Sequence, residues 1–126
     1  MSRHSLKHMR EGSCIINTSS VAAYTGDPRL LDYTATKGAI AIVAFTLGLA
    51  LQLVDKGIRV NGVAPGYVWI PLAAASLEED MVAGHRSDVP MKRPAQPHEI
   101  APCYVFLACE HCSSYVTGQF LILMVA

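Results

Sequence analysis

Tyr33 and Lys37, in the run Asp32-Tyr33-Thr34-Ala35-Thr36-Lys37-Gly38, stand four residues apart, a spacing that puts a phenol and an ammonium on one face of a helix. A free tyrosine titrates at about 10. A neighbouring cation and the positive end of a helix both favour its phenolate, so the pair is suited to moving a proton to or from a substrate oxygen near neutral pH. The same spacing also occurs on solvated helix faces that do no chemistry. The pair alone does not separate the two readings.

Its surroundings matter more. Upstream, Ser20 closes the stretch Gly12-Ser13-Cys14-Ile15-Ile16-Asn17-Thr18-Ser19-Ser20. Cys14 to Ile16 is a short apolar run followed by a polar cluster, which predicts a buried strand, Cys14 to Ser19, that delivers hydroxyls at its carboxyl end. Ligands of open α/β sheets bind at that end. A turn cap is the competing role for Ser20. Downstream, Ile58-Arg59-Val60-Asn61-Gly62-Val63-Ala64-Pro65-Gly66 repeats the design as a second strand stopped by a Pro-Gly turn, which could equally be a plain loop breaker. Two strands joined by a long helix make a βαβ crossover.

That helix is predicted over Tyr33 to Val54, ended by Lys56-Gly57. Its small and apolar residues, among them Ala35, Gly38, Ala44, Gly48 and Ala50, run around more than one face, which predicts burial on both sides. Residues 4–10 read as the tail of a basic helix. Leu77 to His85 reads as a short helix within a loop covering Ile70 to Val89, Pro97 to Cys109 as a proline-started helix, and Phe120 to Val125 as a final strand.

Length and composition bound the function. A chain of 126 residues with 52% hydrophobic content can fold as one domain with a core. Ten basic residues are matched by ten acidic ones and no basic block occurs, which argues against a nucleic-acid partner. Ala39 to Val54 is too short and too interrupted for a membrane span, and residues 1–10 lack the apolar core of a secretion signal. Cys109-Glu110-His111-Cys112 has a metal-like spacing, but Cys103 and Cys14 are poorly placed to complete a zinc site, so no metal is expected and reduced thiols of a cytoplasmic protein are.

The strand, Ser20, Tyr33-x-x-x-Lys37 and Asn61-x-x-x-Pro65-Gly66, in that order, resemble the catalytic half of the short-chain dehydrogenase/reductase family, and the agreement runs from about Ser5 to Gln119. Trp69, the segment Val89-Pro90-Met91-Lys92-Arg93 and Gln96 to Pro102 are similar to its glucose/ribitol dehydrogenase-like branch. The resemblance implies an α/β fold: the carboxyl-terminal half of a Rossmann-like doubly wound parallel sheet, about three strands with flanking helices, lacking the first four strands. It implies hydride transfer between NAD or NADP and an alcohol or carbonyl, a sugar or polyol among the candidates. Tyr33 would be the acid or base, Lys37 would lower the tyrosine's pKa and hold the nicotinamide ribose, and Ser20 would donate to the substrate oxygen. Pro65, Gly66 and the backbone at Val68 would face the nicotinamide. The helix over 33–54 would pack against its mate in a homo-oligomer.

Three departures set limits. No Gly-rich turn joins a strand to a helix, so nothing in the chain matches the pyrophosphate cradle of a dinucleotide fold. By this alignment the family's first four strands, its NAD/NADP selector and its catalytic asparagine fall before Met1. Ile70 stands where family members usually carry threonine, and the chain closes on the apolar Leu121 to Ala126 where the family has a polar, glycine-bearing turn. The expectation is therefore a single partial domain over 1–126 with little or no turnover alone. A noncatalytic family member acting by association is the alternative.

Overall fold

The computed structural model describes residues 2–41, 43–71 and 90–123. A helical turn, α1 (Ser2–Ser5), and a 3-10 turn (Leu6–His8) lead into β1 (Cys14–Thr18). Then come α2 (Ala22–Thr25), α3 (Leu31–Ala41), α4 (Val43–Leu53) and β2 (Arg59–Pro65). After residue 89 the chain forms α5 (Pro97–Ala108), α6 (Glu110–Ser113) and β3 (Phe120–Leu123).

The three strands make one parallel sheet in the order β1-β2-β3. Cys14 lies opposite Arg59 and Thr18 opposite Val63, while Gly62 faces Phe120 and Pro65 faces Leu123. Parallel neighbours require crossovers, and helices supply them. This is the α/β layering expected from the sequence. The predicted 77–85 helix and the last residues of the predicted final strand lie outside the described residues.

The helix predicted from Tyr33 begins earlier, at Leu31, so Tyr33 lies in the first turn. Its far end tightens into a 3-10 turn over Val54–Lys56 and stops at Gly57, whose φ of 63° is in the left-handed region that only glycine enters without strain.

β2 is the buried centre. Its side chains alternate between two layers. On one side Val60 packs with Ala50, Leu53 and Ile58, flanked by Leu6, Met9, Ile15 and Leu49. On the other side the Arg59 guanidinium donates from Nη1 to the Leu107 carbonyl oxygen (2.8 Å) and to Ser113 Oγ (3.0 Å). Ser113 Oγ also lies 2.8 Å from the carbonyl oxygens of Phe106 and Cys109. Arg59, Leu107 and Ser113 are all buried, so this polar hub carries the α5 end of the molecule. Asn61 is buried too: it donates to the Val116 carbonyl oxygen (2.7 Å) and accepts from the Gln119 N–H (3.0 Å).

Within the single chain, and among the described residues, the long helix is buried on one side. Thr46, Ala50 and Leu53 are buried, but Phe45, Leu51 and Val54 are 49%, 67% and 52% exposed. The sheet can cover only the stripe that faces it, and no other described element packs over the outer stripe.

The start of α5 is fixed electrostatically. Glu99 accepts from both Arg93 guanidinium nitrogens (2.7 Å each) and from the Gln96 N–H (2.7 Å). The Arg93 hydrogen bonds first, then the Gln96 amide, pull the Glu99 carboxyl down to about 2.

Candidate active site

The β1–β2 ladder continues beyond the end of β1. The Ser19 N–H donates to the Val63 carbonyl oxygen (2.8 Å) and the Val21 N–H to that of Pro65 (3.0 Å). Ser20, held between these two bonds, is thereby pinned beside the Pro65-Gly66 turn. It is 9% exposed, and its Oγ accepts from the Ala22 N–H at 3.3 Å. The turn-capping role is thus present. It does not exclude the other, because accepting a bond uses a lone pair and leaves the hydroxyl hydrogen to donate.

Ser19 links the strand to the helix. Its hydroxyl donates to the Lys37 carbonyl oxygen at 2.9 Å. On α3, Lys37 Nζ stands 5.8 Å from the centroid of the Tyr33 ring, within cation–π range, so the spacing read from the sequence is a real contact. Tyr33 is 42% exposed, and no carboxylate pairs with Lys37 among the described residues.

Gly66 closes the floor. Its N–H donates to the Leu123 carbonyl oxygen (2.9 Å), and a Cβ there would meet the same oxygen at 2.8 Å. Backbone approach this close admits only glycine. Val68 is fixed by a parallel bridge to Ala95, with the Trp69 N–H donating to the Ala95 carbonyl oxygen (2.8 Å) and the Ala95 N–H to that of Tyr67 (2.9 Å). Ser20, Pro65 and Gly66 thus lie at the carboxyl end of the sheet, and the Lys37 main chain is tied to the same end through Ser19.

A second tyrosine lies on α2. Tyr24 packs edge-on against Phe120 (6.3 Å, 68°), and burial pushes its phenol above the ordinary value.

The sequence reading passed over Ser19, although a signal existed. Consecutive residues at a strand's end point to opposite faces, so of two adjacent hydroxyls one must turn away from its neighbour's surroundings. It also passed over the Thr18–Tyr104 hydroxyl pair (2.9 Å), which ties β1 to α5. Among the described residues no group of three or more His, Cys, Asp or Glu is placed to hold a metal ion, and no helix is long and apolar enough to cross a membrane.

Comparison with known proteins agrees with this architecture. Residues 1–123 match the family model described as enoyl-(acyl carrier protein) reductase. The chain is 68% identical over 121 residues to NADPH-dependent aldehyde reductase 1, chloroplastic, of Arabidopsis thaliana, covering 96% of this chain and 41% of that protein. It is 66% identical over 122 residues to the glucose and ribitol dehydrogenase of Daucus carota, covering 96% and 40%. The chain therefore spans about two fifths of the length of these curated relatives. Among solved structures, a short-chain dehydrogenase/reductase, glucose/ribitol dehydrogenase, from Brucella melitensis superposes with a TM-score of 0.84 at 34% identity, over 97% of this chain and 48% of that one. Three parallel strands, helices on both faces and these matches lead to one conclusion: the chain belongs to the short-chain dehydrogenase/reductase family.

Proposed function

We propose that this chain carries the proton-transfer half of an NAD(P)-dependent oxidoreductase that interconverts an alcohol and a carbonyl, sugars and polyols among its substrates. The observation that carries the reading is the Tyr33–Lys37 contact clasped by Ser19 to the end of β1, beside Ser20. Reduction of a carbonyl builds negative charge on its oxygen, and donors already aimed there stabilise the transition state more than the ground state. Tyr33 hands its proton to that oxygen, or takes it from an alcohol in the reverse direction. Ser20 donates a second hydrogen bond to the same oxygen. Lys37 supplies positive charge beside the ring as the proton moves.

A nicotinamide dinucleotide fits these residues in part. The Lys37 ammonium offers donors for ribose hydroxyls, and the bridged backbone at Val68, after the close-packed Pro65-Gly66 turn, offers fixed amide groups for a carboxamide. When bound, the cofactor supplies or accepts the hydride. No Gly-rich strand-to-helix turn in the sequence matches a pyrophosphate cradle, so the chain by itself is proposed to turn over little. The name of the Arabidopsis relative specifies NADPH and a chloroplast; for this chain the proposal is NAD or NADP and a cytoplasmic setting.

The test is a chimera. The chain is joined in frame behind the part of the carrot relative that precedes the match, and reduction of aldehydes or oxidation of polyols is assayed with NADPH and NADH. Turnover that Tyr33→Phe removes supports the reading. An active chimera indifferent to Tyr33→Phe ends it.

The outward stripe of α4, with Phe45, Leu51 and Val54 exposed, supports a second element of the proposal, self-association through the helix over 33–54. The noncatalytic alternative would associate through the same helix or through the terminal strand. Sedimentation of wild type and Leu51→Glu decides whether the stripe associates: wild type dimerises and the variant does not.

A further inference from the structure

The Cys109-Glu110-His111-Cys112 motif plays no part in the chemistry above, yet its geometry is organised. Cys109 ends α5 in an extended conformation (φ −73°, ψ 112°), and the chain turns at once into α6. The Cys112 N–H donates to the Cys109 carbonyl oxygen at 3.2 Å, closing an i to i+3 turn. Such a turn holds its end Cα atoms within about 7 Å, and a disulfide spans about 4.4–6.8 Å. Both cysteines line an open, mainly apolar groove of about 540 Å³, with His98, Ala101, Val105 and Phe106.

The two thiols have different environments. The Cys112 thiol and then the Cys112 backbone N–H direct hydrogen bonds at Cys109, and the Arg59 charge adds to them, so the Cys109 thiol is held below its ordinary range. Arg59 is 8% exposed, and its Nη2 has no hydrogen-bond partner among the described residues. The Cys112 thiol is raised, first by its hydrogen bond to Cys109 and then by the Cys109 charge.

We infer that Cys109 and Cys112 form a redox-active dithiol that is oxidised to an intramolecular disulfide by low-molecular-weight disulfides, Cys109 attacking first and Cys112 resolving. In the first step Cys109 Sγ, as thiolate, bonds to one sulfur of the external disulfide and breaks its S–S bond, releasing one thiolate. Cys109 then carries no charge, so its charge no longer opposes ionisation of Cys112. Cys112 loses its proton to solvent and attacks Cys109 Sγ. The Cys109–Cys112 bond forms, the mixed disulfide breaks, and a second thiolate leaves. Two electrons pass from the protein to the external disulfide, and an excess of small thiol reverses the sequence.

The experiment equilibrates the full chain in glutathione buffers of graded GSSG content, quenches with acid, and maps thiols and disulfides by mass spectrometry. Free thiols should fall from four to two, the linked peptide should join Cys109 to Cys112, and no glutathione should remain attached. Cys112→Ser should instead keep one glutathione on residue 109, and Cys109→Ser should form no linked peptide. Limiting iodoacetamide should alkylate Cys109 of the reduced wild type before the other three. Since the wild-type map and the alkylation order need no variant, they decide the question even where a variant fails to fold. Four free thiols in buffers that oxidise the guanidinium-unfolded chain, a link involving Cys14 or Cys103, or alkylation of Cys112 ahead of Cys109 would each overturn the proposal.

Discussion

The α3 end of the sheet and the α5–α6 end are built on opposite principles. Around Tyr33 and Lys37, position is set by main-chain groups and one hydroxyl, while the two side chains are partly exposed. Around Arg59, Leu107 and Ser113, the side chains are themselves the structure, buried and joined by hydrogen bonds. In the proposed function, the first arrangement leaves the Tyr33 and Lys37 side chains free to meet a substrate. The second turns side-chain polarity into cohesion between β2 and two helices. Substitutions at the first end should therefore change rate without changing stability, and those at the second should do the reverse.

Four measurements press on that division. In the active chimera, Tyr33→Phe should lower kcat by about 10²–10⁴-fold, the usual scale for losing a positioned acid or base, with circular dichroism and melting unchanged. A comparable fall in melting temperature would erase the contrast. At the other end, Leu107→Ala removes a side chain with no exposed surface and should cost about 2–5 kcal/mol in urea unfolding. Ser113→Ala leaves the Arg59 guanidinium and three carbonyl oxygens without a shared partner, and should cost about 1–3 kcal/mol.

The smallest expected effect is at Glu99. Its carboxyl is depressed in the folded chain, so its stabilising contribution is complete above the ordinary carboxylate range and is lost as pH falls towards about 2. A pH series of melting temperatures should show an acid-side loss that Glu99→Gln reduces. Because Glu99 is exposed to solvent and paired with an exposed Arg93, raised salt should shrink the difference. If Glu99→Gln instead proved as damaging as Leu107→Ala, burial would not be what separates strong from weak sites here.

The sequence made the α3 end more legible than the α5–α6 end, for a physical reason. Tyr33 and Lys37 are four residues apart, and helical periodicity alone brings them together. Cys14 to Ile16, Gly57 and Pro97 likewise mark their elements through local preferences. Arg59 gave no such warning. It sits between Ile58 and Val60 in a strand pattern, and its partners are the Leu107 carbonyl oxygen and Ser113 Oγ, 48 and 54 residues away. Partners that distant, one of them a backbone group, leave no local pattern. The outer stripe of α4 shows a related limit: a pattern of apolar residues predicts that a face wants cover, and the cover expected here, a mate in a homo-oligomer, lies outside the chain.

The clasp from Ser19 falls on the main-chain oxygen of residue 37, not on its ammonium. Every amino acid carries that oxygen, so the docking of the helix on the strand is indifferent to what projects from position 37. Scaffold and reagent are separable there, and arginine, methionine or a synthetic amine could be exchanged for the lysine while the helix keeps its seat.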